Sequence, residues 1–152
     1  MSKIYFQGTF GAYSNLAALA VEPDAEIIPC KTFDECFLKA SLEIGSRIVI
    51  PESNRITGNI GIEYLIFKYR LNIYAEHFQK IEHNLLGQPG ANLNDIVDVF
   101  SHTQGLSQCS NFIKKNNYIE HIRADTAGSA EAISKKKIKR EAAIASSLSA
   151  KI

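Results

Sequence analysis

Glycine, hydroxyl and amide residues gather at four places along the chain, Gly8 to Ser14, Ser53 to Gly58, Ser101 to Gln104 and Asp125 to Ser129. Each follows an apolar run that reads as a strand and opens a stretch that reads as a helix. Backbone N–H groups without partners and the helix dipole both favour negative charge at a helix start, and small hydroxyls add donors. Four such starts predict a ligand with several anionic or polar arms. Gln104 and Gln108 stand four apart and so share one helical face. The same residue types also cap helices, so capping by Ser14, Thr32, Ser101 and Asp125 stands beside ligand binding as the plain reading.

Strands and helices must alternate to place these loops. Lys3 to Phe6 and Glu26 to Pro29 read as strands and Ser14 to Val21 as a helix between them. After the N-cap Thr32, the apolar residues Phe33, Cys36, Phe37, Ala40 and Ile44 recur at helical spacing until Gly45. Arg47 to Ile50 is a short strand stopped by Pro51, and Ile62, Leu65, Ile66 and Tyr69 mark the next helix. Asn72 to Leu86 suits extended chain crossing to a second layer. Beyond the turn at Gln88-Pro89-Gly90, Asp95 to Phe100, Tyr118 to Ala124 and Ala142 to Ala145 read as strands. A helix from Thr103, with Leu106, Cys109, Phe112 and Ile113 on one face, is stopped by Asn116 and Asn117, Gly128 to Lys137 reads as another, and a last one begins near Ser146. The alternation predicts an α/β fold with largely parallel strands, split near Ala75 to Lys80 into lobes of about 1–76 and 77–152. In open sheets of this kind the ligand crevice lies beyond the carboxyl ends of the strands, where the four loops collect.

A chain of 152 residues with 45% hydrophobic content can build a packed core. A formal net charge of +1 and a pI near 7.7 give no global field for nucleic acid or an anionic membrane. Lys135 to Lys137, Lys139 and Arg140 read as a solvated helix end without interleaved aromatics. The apolar runs are too short for a bilayer, so no membrane span is expected. The three cysteines Cys30, Cys36 and Cys109 cannot all pair within one chain, and Cys30 and Cys36 lack metal-ligand spacing and read as core thiols, so no metal site is expected. A cytoplasmic location is expected from the cysteine usage and the lack of a signal segment. Gly8 and Gly11 lack the third glycine and the acidic position of a dinucleotide loop. His102 reads as a loop residue bonded to backbone, and His77 and His121 as surface residues.

Phe6-Gln7-Gly8, Gly11-Ala12-Tyr13-Ser14 and Thr32-Phe33 follow one another as in the first lobe of the prephenate dehydratase family. Ser101-His102-Thr103-Gln104-Gly105-Leu106-Ser107-Gln108-Cys109 is similar to that family's Ser-His-Pro-Gln-Ala-Leu-x-Gln-Cys, and Asp125-Thr126-Ala127-Gly128-Ser129-Ala130 to its Asp-Thr-Ala-Gly-Ser-Ala. On these strings the chain resembles the prephenate dehydratases over nearly its whole length. The resemblance implies two lobes like those of type II periplasmic binding proteins, with prephenate held in the cleft between them. It places the family's substrate-loop Asn on Asn54, and its Ser and two Gln on Ser101, Gln104 and Gln108. Asp125 and Thr126 take the acidic and hydroxyl positions of the last motif, and His83 matches a family His in the crossing segment, expected to be structural.

The family's Pro-x-Glu-Asn-Ser appears as Pro51-Glu52-Ser53-Asn54-Arg55, with Arg55 in place of Ser, and Thr103 replaces Pro. The family's Thr-Arg-Phe motif, with the Thr that the resemblance makes catalytic, does not occur within residues 1–152. The expectation is therefore an incomplete dehydratase domain, with that motif and a strand closing the first lobe lying beyond Ile152. Prephenate carries two carboxylates and a ring hydroxyl. Ser14, Asn54, Thr126 and Ser129, with the amides around Gly11 and Gly128, are suitable donors for the carboxylates. The resemblance implies no metal or organic cofactor and a homo-oligomer. The rival expectation is a non-catalytic remnant that binds a small anion or aromatic ligand.

Overall fold

A computed structural model describes residues 2–56 and 58–152; Thr57 of the second polar loop lies outside the described residues. The chain divides into two compact units. One takes in the chain up to Thr9 and Tyr13–Gln79, the other Phe10–Ala12 and Lys80–Ile152.

In the first unit, the continuous apolar run of β1 (Lys3–Gln7) buries Ile4, Tyr5 and Phe6, so both faces of the strand are covered. β1 pairs in parallel with β2 (Glu26–Cys30) on one side and β3 (Arg47–Val49) on the other. Helices α1 (Tyr13–Val21) and α2 (Phe33–Leu42) connect them. The Thr32 hydroxyl accepts from the Glu35 N–H at 3.1 Å, the expected cap, and the Glu35 carboxylate accepts from the Lys31 N–H at 2.8 Å. The apolar spacing carries α2 on to Ile44, but the helix ends at Leu42 and Ile44 is fully exposed. Glu43 turns away because its carboxylate accepts from Lys3 Nζ at 2.6 Å and from the Tyr5 hydroxyl. Those two donors hold the Glu43 carboxyl below the usual carboxylate range, Lys3 most strongly. Cys30 and Cys36 are buried free thiols, and burial pushes the Cys36 thiol up.

The Ser53–Gly58 stretch does not open a helix as its composition predicts. It forms a small antiparallel hairpin of β4 (Ser53–Asn54) and β5 (Gly58–Asn59), because the Asn54 side-chain oxygen accepts from the Ile56 N–H at 2.9 Å and closes the turn first. The helix α3 (Glu63–Tyr69) starts later and is tied to α2 by Lys68 Nζ and the Tyr69 hydroxyl, at 2.7 and 2.9 Å from the Asp34 carboxylate.

The second unit is a four-stranded sheet of β6 (Asn84–Gly87), β7 (Asp98–Ser101), β8 (Ile119–Ile122) and β9 (Glu141–Ala145), in the order β6-β9-β7-β8. β7 is parallel to both neighbours and β6 antiparallel to β9. The alternation of β7 and β9 sorts side chains to two faces. Val99, Ala142 and Ile144 pack with Leu106 and Ile113 of the helices α4 (Thr103–Gln108) and α5 (Ser110–Lys115). Phe100, Ala143 and Ala145 pack with Ala130 and Ile133 of α6 (Thr126–Lys136). A sheet covered on both faces is how parallel strands are kept dry.

Two expectations need correction here. The single helix from Thr103 is two short ones, broken where Cys109 departs to ψ 9 and its N–H is shared by the Gly105 and Leu106 carbonyls. The stretch after β9 is a turn rather than a helix, because the Ser146 hydroxyl takes the Ser149 N–H at 3.2 Å. Among the described residues, no helix is long and apolar enough to cross a membrane.

Candidate functional site

Strands β7, β8 and β9 run the same way and finish together, with Ser101 opposite Ile122 and Phe100 opposite Ala143. β6 runs against them with Asn84 opposite Ala145, so the residue before it, His83, arrives at the same edge. Ligands of parallel sheets bind outside this carboxyl edge. The loops after β7, β8 and β9, together with Phe10–Ala12, meet there.

The loop after β7 turns its hydroxyl inward. Ser101 is fully buried and donates to the Ile144 carbonyl at 2.7 Å, fastening β7 to β9. Gly105 permits this: a β-carbon there would stand 2.7 Å from Ser101 Oγ and 3.6 Å from Thr126 Cγ2. Ser101, Gly105 and Thr126 are therefore immediate neighbours. Gly105→Ala should rotate the Ser101 hydroxyl off Ile144, losing about 1 kcal/mol, while alanine restores about as much helix stability. Melting should then shift by less than about 3 °C. A fall beyond about 10 °C would mean that the backbone yields instead of the hydroxyl.

His102 caps α4, its Nδ1 accepting the Gln104 N–H at 3.3 Å, which is the backbone role expected for it. The Gln104 side chain is exposed. Gln108, also exposed, has its Oε1 2.9 Å from His83 Nε2. Asp125 caps α6 by accepting the Gly128 N–H at 2.6 Å, and the buried Ser129 hydroxyl donates to the Asp125 carbonyl at 2.7 Å. Capping thus describes both contacts. Thr126 is half-buried at the first position of α6, which places it at the edge. On the far side, the Gly11 carbonyl accepts from the Ser146 and Ser149 hydroxyls at 2.5 and 3.1 Å. The second unit therefore brings Ser101, Gln104, Gln108, Asp125, Thr126 and Ser129 to one edge, with Gln104, Gln108 and Thr126 least engaged inward.

Ser14 and Asn54 belong to the first unit. Ser14 is half-buried at the second position of α1, and half-buried Asn54 uses its side-chain oxygen within its own turn, with Arg55 exposed beside it. One group escaped the sequence reading. The Thr9 hydroxyl oxygen, just past β1, is buried and has no partner among the described residues. His83, expected to be structural, also stands just before β6, and that position brings it to the edge.

His121 is more than a surface residue. Its Nε2 lies 2.8 Å from the buried Asp98 carboxylate, and its ring stacks on Phe100 at 4.5 Å between centroids. Arg140 grips the other Asp98 oxygen through Nε and Nη2 at 2.9 and 2.6 Å. His121 first and Arg140 second hold the Asp98 carboxyl below its usual range. Asp98 opens β7, so this cluster lies at the end of the sheet opposite the candidate edge. No group of three or more His, Cys, Asp or Glu among the described residues is placed to hold a metal ion.

The family model described as prephenate dehydratase matches residues 4–152. A curated relative named arogenate dehydratase/prephenate dehydratase 2, chloroplastic, of Arabidopsis thaliana is 36% identical over 151 residues, 99% of this chain and 40% of that one. A solved structure described as a novel type of quorum quenching acylase is 32% identical with a TM-score of 0.87, over 98% of this chain and 55% of that one. A prephenate dehydratase from Arthrobacter aurescens, solved with L-Phe, shares the fold with a TM-score of 0.74 at 22% identity, over 96% of this chain and 50% of that one. The chain thus spans between two fifths and a little over half of these relatives' lengths.

Proposed function

The chain belongs to the prephenate dehydratase family, and from that premise we propose that it binds prephenate, or its amino analogue arogenate, for decarboxylating dehydration in phenylalanine biosynthesis. The family is one of carbon–oxygen lyases, and the α/β fold is its periplasmic-binding-protein-like one. In the reaction the ring carboxylate leaves as carbon dioxide. Its bonding electrons enter the ring, which becomes aromatic as the hydroxyl departs with a proton as water. Aromaticity supplies the driving force, so the protein must orient the substrate, neutralise two carboxylates and offer a donor to the departing oxygen.

The observation that carries the reading is the assembly at the carboxyl edge of the second unit. There Gln104, Gln108 and Thr126 offer neutral donors around loops held by their own hydrogen bonds. Neutral donors suit a dianion whose product, once one carboxylate has left as carbon dioxide and the hydroxyl as water, is a monoanion that must be released. In the first unit, Arg55 supplies an exposed guanidinium beside Asn54, and we assign it to a substrate carboxylate. Arg55→Ala should weaken prephenate binding about tenfold, the worth of one charge-assisted hydrogen bond. An unchanged dissociation constant by calorimetry would remove Arg55 from the site.

The deciding experiment is phenylpyruvate formation from prephenate by the purified chain, and phenylalanine formation from arogenate, against the spontaneous reactions in the same buffer. Turnover well above background supports the dehydratase reading. Binding without turnover favours the second reading, a binding protein for anionic aromatic ligands. Neither binding nor turnover by a folded sample overturns both.

A further inference from the structure

Gln108 stands in the last turn of a six-residue helix, immediately before the break at Cys109, with its side chain exposed. A side chain so placed has three free torsions, and its amide presents oxygen as readily as NH2. Towards a carboxylate the two faces are opposite in sign: the NH2 group attracts it and the oxygen repels it. Ordering such an amide during binding also costs rotamer entropy. Something that holds the oxygen in advance removes both penalties.

The contact at 2.9 Å between His83 Nε2 and Gln108 Oε1 does this. An amide oxygen only accepts, so Nε2 carries the proton and donates. β6 runs antiparallel to β9 and delivers His83 to the carboxyl edge from a different part of the chain than α4. We propose that His83 is the positioning residue of Gln108: by holding the amide oxygen it turns the Gln108 NH2 group outward as a donor for a substrate carboxylate. The inference rests on the prephenate reading for the identity of the carboxylate, and on geometry alone for the orientation of the amide.

The orientation is tested without ligand, by nitrogen-15 spectroscopy of the His83 ring at neutral pH. A protonated Nε2, with a resolved and slowly exchanging Gln108 side-chain amide, is expected. An unprotonated Nε2 beside a protonated Nδ1 would mean that Gln108 donates instead, and would overturn the proposal. The consequence is tested by titrating prephenate into the native chain, His83→Phe, His83→Gln, Gln108→Ala and the double variant H83F/Q108A. His83→Phe and Gln108→Ala should each weaken binding about tenfold, and the double variant no further than Gln108→Ala alone. His83→Gln, whose amide donates to the same oxygen, should recover most of the affinity, which simple packing would not predict. Additive losses in the double variant, or His83→Phe binding like the native chain, would overturn the positioning role. Failure of the native chain to bind prephenate strikes the functional reading instead, and shows before any variant is made.

Discussion

Gly11→Ala should melt about 10 °C below the native chain, a loss of about 3 kcal/mol. Gly11 has φ +92, and a β-carbon there would lie 2.6 Å from Ser149 Oγ and 3.1 Å from Ser149 Cα. The left-handed backbone costs an L-residue about 1–2 kcal/mol. Contact with the Ser149 backbone cannot be relieved by a rotamer change, and moving the loop gives up the hydroxyls of Ser146 and Ser149 on the Gly11 carbonyl. Gly45→Ala is the control. Gly45 has φ +84 but open space around it, so only the backbone term applies, about 1 kcal/mol. Equal shifts for the two variants would mean that the Gly11 loop is not fastened to the turn after β9.

Asp98→Ala should cost about 2 kcal/mol by urea unfolding at neutral pH, because it strands the Arg140 guanidinium and removes the partner of His121. That is below the range for fully buried pairs, since Arg140 is 61% exposed and water replaces part of the contact. The pair also makes stability depend on acid. The folded Asp98 carboxyl sits below its ordinary 3.8, so the folded state favours the ionised form. Its contribution is complete above the unfolded value and is lost as pH falls through the folded one. The native chain should therefore weaken below about pH 4, and Asp98→Asn should flatten part of that slope. Asp34, Glu35, Glu43 and Glu63 are lowered in the same direction, so some slope persists. An acid slope identical in native and Asp98→Asn chains would sink the account.

Where the local signal and the tertiary contact agree, the elements follow from the residues. The cap at Thr32, the apolar spacing of α2 and the apolar runs of β7 and β9 were legible for that reason. The failures occur where a side chain chooses a distant partner. Glu43 ends α2 for Lys3 and Tyr5, some forty residues away, and no periodicity records that. Asn54 closes a two-stranded hairpin where its composition reads as a helix start. In the site, residue type showed which groups can donate but not which way they turn. Ser101 and Ser129 are oriented by the carbonyls of Ile144 and Asp125 and point inward. Gln108 is read by its neighbour His83, twenty-five positions earlier, a contact that only the antiparallel entry of β6 creates.

The second unit incorporates Phe10–Ala12, fastened across 135 and 138 positions to Ser146 and Ser149. During translation this tripeptide, flanked by β1 and α1, leaves the ribosome 135 and 138 residues ahead of its partners Ser146 and Ser149. The first unit can collapse as soon as residue 79 has emerged, but the second must wait until residue 149 has been made. The nascent chain therefore carries a loop committed to a neighbour not yet synthesised, and the order of synthesis runs against the order in which that sheet can be sealed.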